Sequence, residues 1–398
     1  MKGIFLSAPG LVCCAGRDRD ELYESCLKAS RSGMAFRELP MPGGGKFPTG
    51  RIPWALPTVS PTALPTEIPA DSARIISIID AALEQIRGDV EEALGVYGSE
   101  RIGVCLGSCD NGSEASSFAH RAFFADGSFP EGYKLRFQSA SYPAEFIARK
   151  FGLGGPVFAI ATACASGASA IVRGAELIRA GLCDAVIAGG ADIVSDTVFL
   201  GFHALEALSD SFTNPFSKNR KGINLGEGAA FFLLGSSGPV ALLGAGESSD
   251  AFHITAPGPD GAGPVKAMKA ALVDAGISPA QISYVNLHGT GTELNDKAEA
   301  LAMREVFGEA PPAAGSTKPV TGHTLGAAGA LEAAICWMAL TAKKGLPPHC
   351  WDGQGDEQLP FLPAVPDSGA PSIPSICMSN NFAFGGCNVS LVLGKRND

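Results

Sequence analysis

The chain has 398 residues, of which 46% are hydrophobic and 18% charged. That balance excludes a disordered chain and supports a large buried core, in two or three domains or one pseudo-symmetric body. The 50 glycines and 28 prolines follow no three-residue period, which excludes collagen, and a formal charge of −10 argues against a nucleic-acid surface.

In chain order, residues 2–8 predict a first strand and 18–29 a helix, followed by a Pro- and Gly-rich surface connection over 38–69. Ile75, Ile78, Ile79, Ala82, Leu83 and Ile86 recur at helical spacing and predict a helix over 71–94. Residues 101–107 and 156–162 read as strands, 164–180 as an Ala-rich helix stopped by Gly181, and 184–189 as a strand. Strand, helix and strand so close together imply a parallel crossover. The theme returns with a strand at 282–287, a helix at 296–307 and an Ala-rich helix at 325–344, with Lys343, Lys344 and Gly345 at its end.

The two Ala-rich helices open alike. Ala161-Thr162-Ala163-Cys164-Ala165-Ser166-Gly167-Ala168 aligns with Val320-Thr321-Gly322-His323-Thr324-Leu325-Gly326-Ala327, which matches Cys164 to His323. We read this as an internal duplication, two α/β halves over residues 1–238 and 239–398 that share one site at their junction.

The amino terminus has no apolar stretch long enough for a signal peptide, and no run approaches 18 apolar residues. Neither export nor a membrane span is expected. The 11 cysteines lack the spacing of a zinc site, since Cys105 and Cys109 have no matching second pair. They fit free thiols in a reducing cytoplasm.

Cys164 stands where a helix begins, and the free N–H groups and partial positive charge there are expected to favour its thiolate. The competing reading is a small hydrophobe in a buried helix. His288 follows a strand and opens Gly289-Thr290-Gly291-Thr292, the place where α/β sheets build sites. A histidine that only bonds its own loop is the alternative. His323 has the same loop-to-helix placement, which biases its ring toward the neutral, donating form. His120, His203, His253 and His349 look less purposeful. There is no paired-histidine metal motif, serine elbow, P-loop or dinucleotide fingerprint.

Four segments together resemble the β-ketoacyl-acyl-carrier-protein synthases, the condensing enzymes of the thiolase-like superfamily. They are Thr162-Ala163-Cys164-Ala165-Ser166-Gly167, His288-Gly289-Thr290-Gly291-Thr292 with Asp296, residues 318–329, and Asn380-Asn381-Phe382-Ala383-Phe384-Gly385-Gly386. Residues 214–229, ending in Gly226-Glu227-Gly228, also look familiar, so the likeness runs over essentially the whole chain. It implies a five-layered αβαβα fold from two similar halves, a dimer, and an acyl carrier protein as partner. A Cys-His-His set marks the elongating, decarboxylating class of the family, and His323 fills the third position.

The resemblance also implies roles. Cys164 takes an acyl group, and the backbone N–H groups of Cys164 and Phe384 form the oxyanion hole. His288 and His323, both neutral, stabilise the enolate left when malonyl loses carbon dioxide, so no metal or organic cofactor is needed. Lys318, Glu332 and Asp296 are expected to support these groups, with a purely structural Lys318–Glu332 ion pair as the alternative. Helical spacing turns Glu332 away from His323 unless the loop between them unwinds. Thr290, Thr292, Phe382 and Phe384 are expected along the pantetheine arm, with Phe384 resembling an aromatic gate.

Two positions depart from the family pattern. Glu293 replaces a usual Pro near the arm's entrance, and Cys387 replaces a usual Thr in a loop where thiolases carry a reactive cysteine. An acidic carrier would be repelled by an acidic enzyme, so Lys218, Arg220 and Lys221 are expected to dock it, with Arg17 and Arg19 as a second candidate cluster. The rival functions are a thiolase or CoA-dependent acyltransferase, a non-catalytic chain-length partner, and one subunit of a ketosynthase/chain-length-factor heterodimer rather than a homodimer. The presence of Cys164, His288 and His323 argues against the non-catalytic partner.

Overall fold

The computed structural model describes residues 3–57, 74–131, 133–364 and 373–395. Strands β1 (Ile4–Leu6) and β2 (Gly10–Cys13) precede α1 (Arg19–Leu27), whose first N–H groups are capped by Asp18. A hairpin of β3 (Ala35–Glu38) and β4 (Lys46–Thr49) leads to α2 (Arg74–Glu84), α3 (Arg87–Tyr97), β5 (Ile102–Gly107) and α4 (Ser113–Asp126). Next come α5 (Tyr142–Phe151), β6 (Val157–Ile160), α6 (Ser166–Arg179), β7 (Ala185–Asp192), α7 (Asp196–Ala204) and β8 (Gly228–Gly235). The chain continues through β9 (Val240–Ser249), α8 (Ala262–Ala275), β10 (Tyr284–Asn286), α9 (Glu293–Phe307), β11 (Ala313–Gly315) and α10 (Lys318–Thr321). It ends with α11 (Ala328–Thr341), β12 (Ile376–Phe382) and β13 (Cys387–Lys395).

The expected duplication is present in the strand topology. One side of the main sheet runs β6-β5-β7-β8-β1 and the other β11-β10-β12-β13-β9. In the first, β5 lies parallel to β6 and β7, while β7 and β1 flank β8 antiparallel. In the second, β10 lies parallel to β11 and β12, while β12 and β9 flank β13 antiparallel. Strands β1 and β9 pair antiparallel at the seam.

Helices α6 and α11 pack against each other between the two sides. Helices α2, α3 and α5 cover one outer face, and α8, backed by α9, covers the other, which gives the five layers. Because α11 is buried on every side, it is apolar nearly all round instead of bearing a single apolar stripe. Small residues let the two central helices approach: a Cβ on Gly329 would come within 2.7 Å of the Ala168 backbone nitrogen.

Several boundaries differ from the sequence reading. Of the strand predicted over 2–8, Ile4–Leu6 form β1 and a second strand begins only at Gly10, with residue 2 outside the described residues. The helix predicted over 71–94 breaks at Gln85–Ile86, where the Gln85 amide donates to the Leu11 carbonyl of β2 at 2.7 Å; residues 71–73 lie outside the described residues. Within the predicted connection 38–69, β4 forms a hairpin and Leu39 is buried, while 58–69 lie outside the described residues. Helix α11 stops at Thr341, and Lys344 pairs with Glu24 of α1 at 2.8 Å instead of lying in its last turn.

The register of the duplication also needs correction. Each central helix is preceded by one turn of 3-10 helix, Ala163–Ala165 before α6 and Leu325–Ala327 before α11. The first residue of each turn is left-handed, Ala163 at φ 49° and Leu325 at φ 51°. The structural counterpart of Cys164 is therefore Gly326, three residues beyond His323. An Ala/Gly-rich pattern aligns with itself in several registers, and the left-handed residue fixes the right one.

Candidate active site

Cys164 lies in the 3-10 turn that follows β6, at the carboxyl end of the parallel strands. The Ser166 hydroxyl accepts the Thr162 N–H at 2.9 Å and donates to the Ala163 carbonyl at 2.6 Å, which pins the strained turn. At Gly107, at the end of β5, a Cβ would fall 2.2 Å from the Ser166 backbone, so only glycine lets the turn sit this low.

His288 follows β10 on a loop held by two carboxylates of α9. Glu299 accepts the N–H groups of His288 and Gly289 at 2.8 and 2.7 Å. Asp296 accepts those of Gly291 and Phe216 at 3.1 and 2.7 Å. His323 is clamped through its main chain: its N–H donates to the Asn224 carbonyl at 2.7 Å, and its carbonyl accepts from Gly226 at 2.9 Å. The 214–229 segment that looked familiar in the sequence thus holds the second histidine in place.

The three side chains meet. His323 Nε2 lies 3.1 Å from Cys164 Sγ, and the two imidazole rings stand 5.4 Å apart at 84°. One polar atom from each of the three residues falls within 4.8 Å of the others. All three are buried around a narrow cavity of about 10 Å³, also lined by Thr290, Thr292, Phe382 and Phe384. Lys318 Nζ lies 3.2 Å from His288 Nδ1 and forms a buried ion pair with Glu332. A lysine ammonium only donates, so Nδ1 accepts and the ring proton sits on Nε2. That ammonium also disfavours a metal cation among these atoms.

Glu332 reaches the centre because helix α11 starts only at Ala328, so the loop after His323 is unwound. Lys318 touches a ring of the trio, so its ion pair is more than scaffolding. Breaking it would leave a buried charge uncompensated, at a cost of about 3–5 kcal/mol.

The electrostatics correct one expectation. Burial pushes the Cys164 thiol up to about 11, while Lys318 and a hydrogen bond from the Phe384 N–H act in the opposite direction. Helix α6 begins two residues beyond the cysteine, and desolvation outweighs the helix end. Both histidines are held well below their ordinary range, by burial first and then by Lys318, so both are neutral as expected. Burial raises Glu332 to about 7, Asp296 to about 6 and Glu299 to about 8.

Other expected residues are placed elsewhere. Arg220 is mostly buried and paired with Asp356 at 2.6 Å, whereas Lys218 and Lys221 are both exposed, Lys221 in a surface pair with Asp210 at 3.3 Å. Cys387 opens β13 and does not line the catalytic cavity. His349 bonds the Pro215 carbonyl and the Ser316 N–H, and His120 bonds the Ser116 carbonyl. Sequence reasoning missed Phe202, Ile223 and Asn295 in the cavity wall, and Glu299 behind His288. Glu299 was detectable, because it follows Asp296 by three residues on one helix face. Phe202 was not, because only the tertiary fold brings its ring to 5.9 Å from Phe384.

Comparison with known proteins gives a consistent picture. The profile described as beta-ketoacyl synthase, N-terminal domain, matches residues 77–237, and that of the C-terminal domain matches residues 240–350. Nodulation protein E of Rhizobium meliloti is 34% identical over 335 residues, 81% of this chain and 82% of the relative. The 3-oxoacyl-[acyl-carrier-protein] synthase 2 of Staphylococcus aureus (strain COL) is 33% identical over 345 residues, 80% of each. A solved ketosynthase in complex with its chain length factor, from Xenorhabdus doucetiae, is 40% identical with a TM-score of 0.90, covering 99% of this chain and 98% of that one.

Proposed function

The chain belongs to the beta-ketoacyl synthase family, and we propose that Cys164, His288 and His323 carry out its decarboxylative condensation. In the first half-reaction the Cys164 sulfur attacks a carrier-bound acyl thioester. Its proton passes through His323 Nε2, 3.1 Å away, to the departing pantetheine thiol, and one thioester replaces another. The N–H groups of Cys164 and Phe384 receive the developing oxyanion.

In the second half-reaction malonyl on the carrier loses carbon dioxide, and the enolate carbon attacks the acyl-Cys164 carbonyl. The new C–C bond forms as the C–S bond breaks, giving a β-ketoacyl carrier and the Cys164 thiolate, which takes up a proton from solvent. His288 Nε2–H and His323 Nε2–H donate to the enolate oxygen. Lys318 commits His288 to this tautomer, whereas among the described residues His323 Nδ1 has no partner, so no hydrogen bond fixes its tautomer. His323 can therefore accept a proton in one half-reaction and donate a hydrogen bond in the other. The sequence of steps requires no metal or organic cofactor.

The observation that carries this reading is the convergence of one sulfur and two neutral imidazoles on one narrow, buried cavity. Intact-mass analysis after incubation with a panel of acyl-carrier proteins tests it: Cys164 should gain the acyl mass, and Cys164→Ala should abolish both labelling and condensation. Acylation by acyl-CoA but never by carrier thioesters would favour a thiolase or CoA-dependent acyltransferase.

We further assign residues 1–238 and 239–398 as the two halves, in keeping with the profile boundary and the β8–β9 connection. A two-subunit ketosynthase is the favoured assembly over a homodimer, given the likeness to a ketosynthase solved with its chain length factor. Among the described residues strand β6 is a free sheet edge with Phe158 50% exposed, a surface suited to pairing with another subunit. A homodimer active alone would exclude the two-subunit form. No helix among the described residues is long and apolar enough to cross a membrane, and all 11 cysteines are free, in keeping with a reducing cytoplasm.

A further inference from the structure

A cavity of about 400 Å³ lies at the end of the sheet opposite Cys164. Its wall includes Ala185, which opens β7, and Leu234, which pairs with Val186 from the antiparallel β8. Cys164, by contrast, stands beyond the carboxyl ends of the parallel strands. The volume falls within the range of small-molecule sites, about 300–1,000 Å³. None of the residues assigned to the condensation lines it.

One part of the wall is apolar, with Ala8, Ala93, Leu233 and Leu234 beside Trp337 of α11. Trp337 is only 8% exposed, and its Nε1–H has no hydrogen-bond partner among the described residues. A buried donor is costly to leave unmet, and an acceptor entering the cavity would satisfy it. Another part is acidic. Helix α3 supplies Asp89 and Glu92, neighbours on one helix face, with Tyr97 at its end. Neither carboxylate has an ion-pair partner among the described residues, and the lining holds no lysine, arginine or histidine. Burial and then Glu92 raise the Asp89 carboxyl above its ordinary range, with Arg19 acting the other way. A cation between the two carboxylates relieves their repulsion, and aromatic rings such as Trp337 and Tyr97 attract cations as well.

We propose that this cavity binds an organic ammonium ion whose aromatic body carries a hydroxyl group. The ammonium lies at Asp89 and Glu92, the body against the apolar wall, and the hydroxyl oxygen accepts from Trp337 Nε1. The site is separate from the condensation machinery, so it stands or falls independently of the reaction at Cys164.

The test titrates the full chain by calorimetry with three probes of one shape: tyramine, its neutral alcohol counterpart tyrosol, and the anion 4-hydroxyphenylpropionate. Tyramine should bind once per chain with a Kd of about 1 mM or tighter, tyrosol about tenfold more weakly, and the anion not at all. Replacing Asp89 by Asn and Glu92 by Gln together should weaken tyramine about tenfold or more. Both positions are exposed on α3, so the double variant should keep the parent's melting temperature. Glu91→Gln removes a carboxylate that pairs with Arg87 and does not line the cavity, and it should leave the affinity unchanged. Absence of tyramine binding overturns the proposal, as does tyrosol binding equally well. An unaltered Kd in the double variant, or an equal loss in Glu91→Gln, overturns it too, since either would place the cation elsewhere.

Discussion

His323 Nε2 and Cys164 Sγ lie 3.1 Å apart although 159 residues separate them in the chain. His323 is clamped through its main chain by Asn224 and Gly226, so its backbone keeps its place when the ring is removed.

Replacing His288 or His323 by Ala should therefore lower the rate of malonyl decarboxylation about 100- to 1,000-fold each, as expected for loss of one preorganised donor. Alkylation of Cys164 by iodoacetamide should persist in both. Release of labelled carbon dioxide measures the first quantity and intact mass the second. Decarboxylation at the unmodified rate in either variant would remove that ring from the mechanism.

The Cys164 thiol, held at about 11 chiefly by burial, is mostly protonated at neutral pH. Its alkylation rate should rise about tenfold per pH unit from pH 7 to 10. Lys318 lowers this value, so Lys318→Met combined with Glu332→Gln, which avoids stranding a buried charge, should slow alkylation at pH 9. Equal rates would mean that the ammonium does not act on the sulfur.

Glu299 sits at about 8 in the folded chain, raised by burial from 4.5. The folded state thus holds its proton more tightly than the unfolded state. The stability this contributes is complete below pH 4.5 and is lost as pH rises through about 8. Glu332, raised to about 7, and Asp296, raised to about 6, act in the same direction. The melting temperature should fall between pH 5 and 8, and Glu299→Gln should flatten that fall. A variant with the same slope as the parent would show that Glu299 does not titrate in this window.

Gly386 has φ 77°, and a Cβ there would sit 2.9 Å from the Asp250 Cβ. Gly386→Ala should cost about 1–2 kcal/mol in the loop and displace the Phe384 N–H from the sulfur. Turnover should fall more than global stability does, as read by kcat against the denaturation midpoint. The reverse order would assign the glycine a packing role only.

Much of this arrangement was legible in the sequence because its chemistry is carried by short segments of unusual composition. Cys164, His288, His323 and Lys318 each lie where a loop of small residues meets an element, and the fold brings all four together. What escaped was tertiary. The thiol was expected to be acidified by a helix end, but full desolvation depends on the layers above and below it. Arg220 read as a surface cation, and only the position of Asp356, 136 residues away, shows it to be consumed. Phe202 gave no local signal, because its neighbour Phe384 comes from the far end of the chain.

The paired left-handed turns differ in what they can hold. At Gly326, the position that mirrors the nucleophile, a Cβ would lie 2.6 Å from an Asp192 oxygen and 2.8 Å from the Cys109 nitrogen. Its N–H is also tied to Asp192, at 2.5 Å. No side chain fits there while Asp192 and Cys109 keep their places, so the second turn has no room for a reactive group of its own. The two halves therefore contribute unequally, one presenting the attacking atom and the other two rings to serve it.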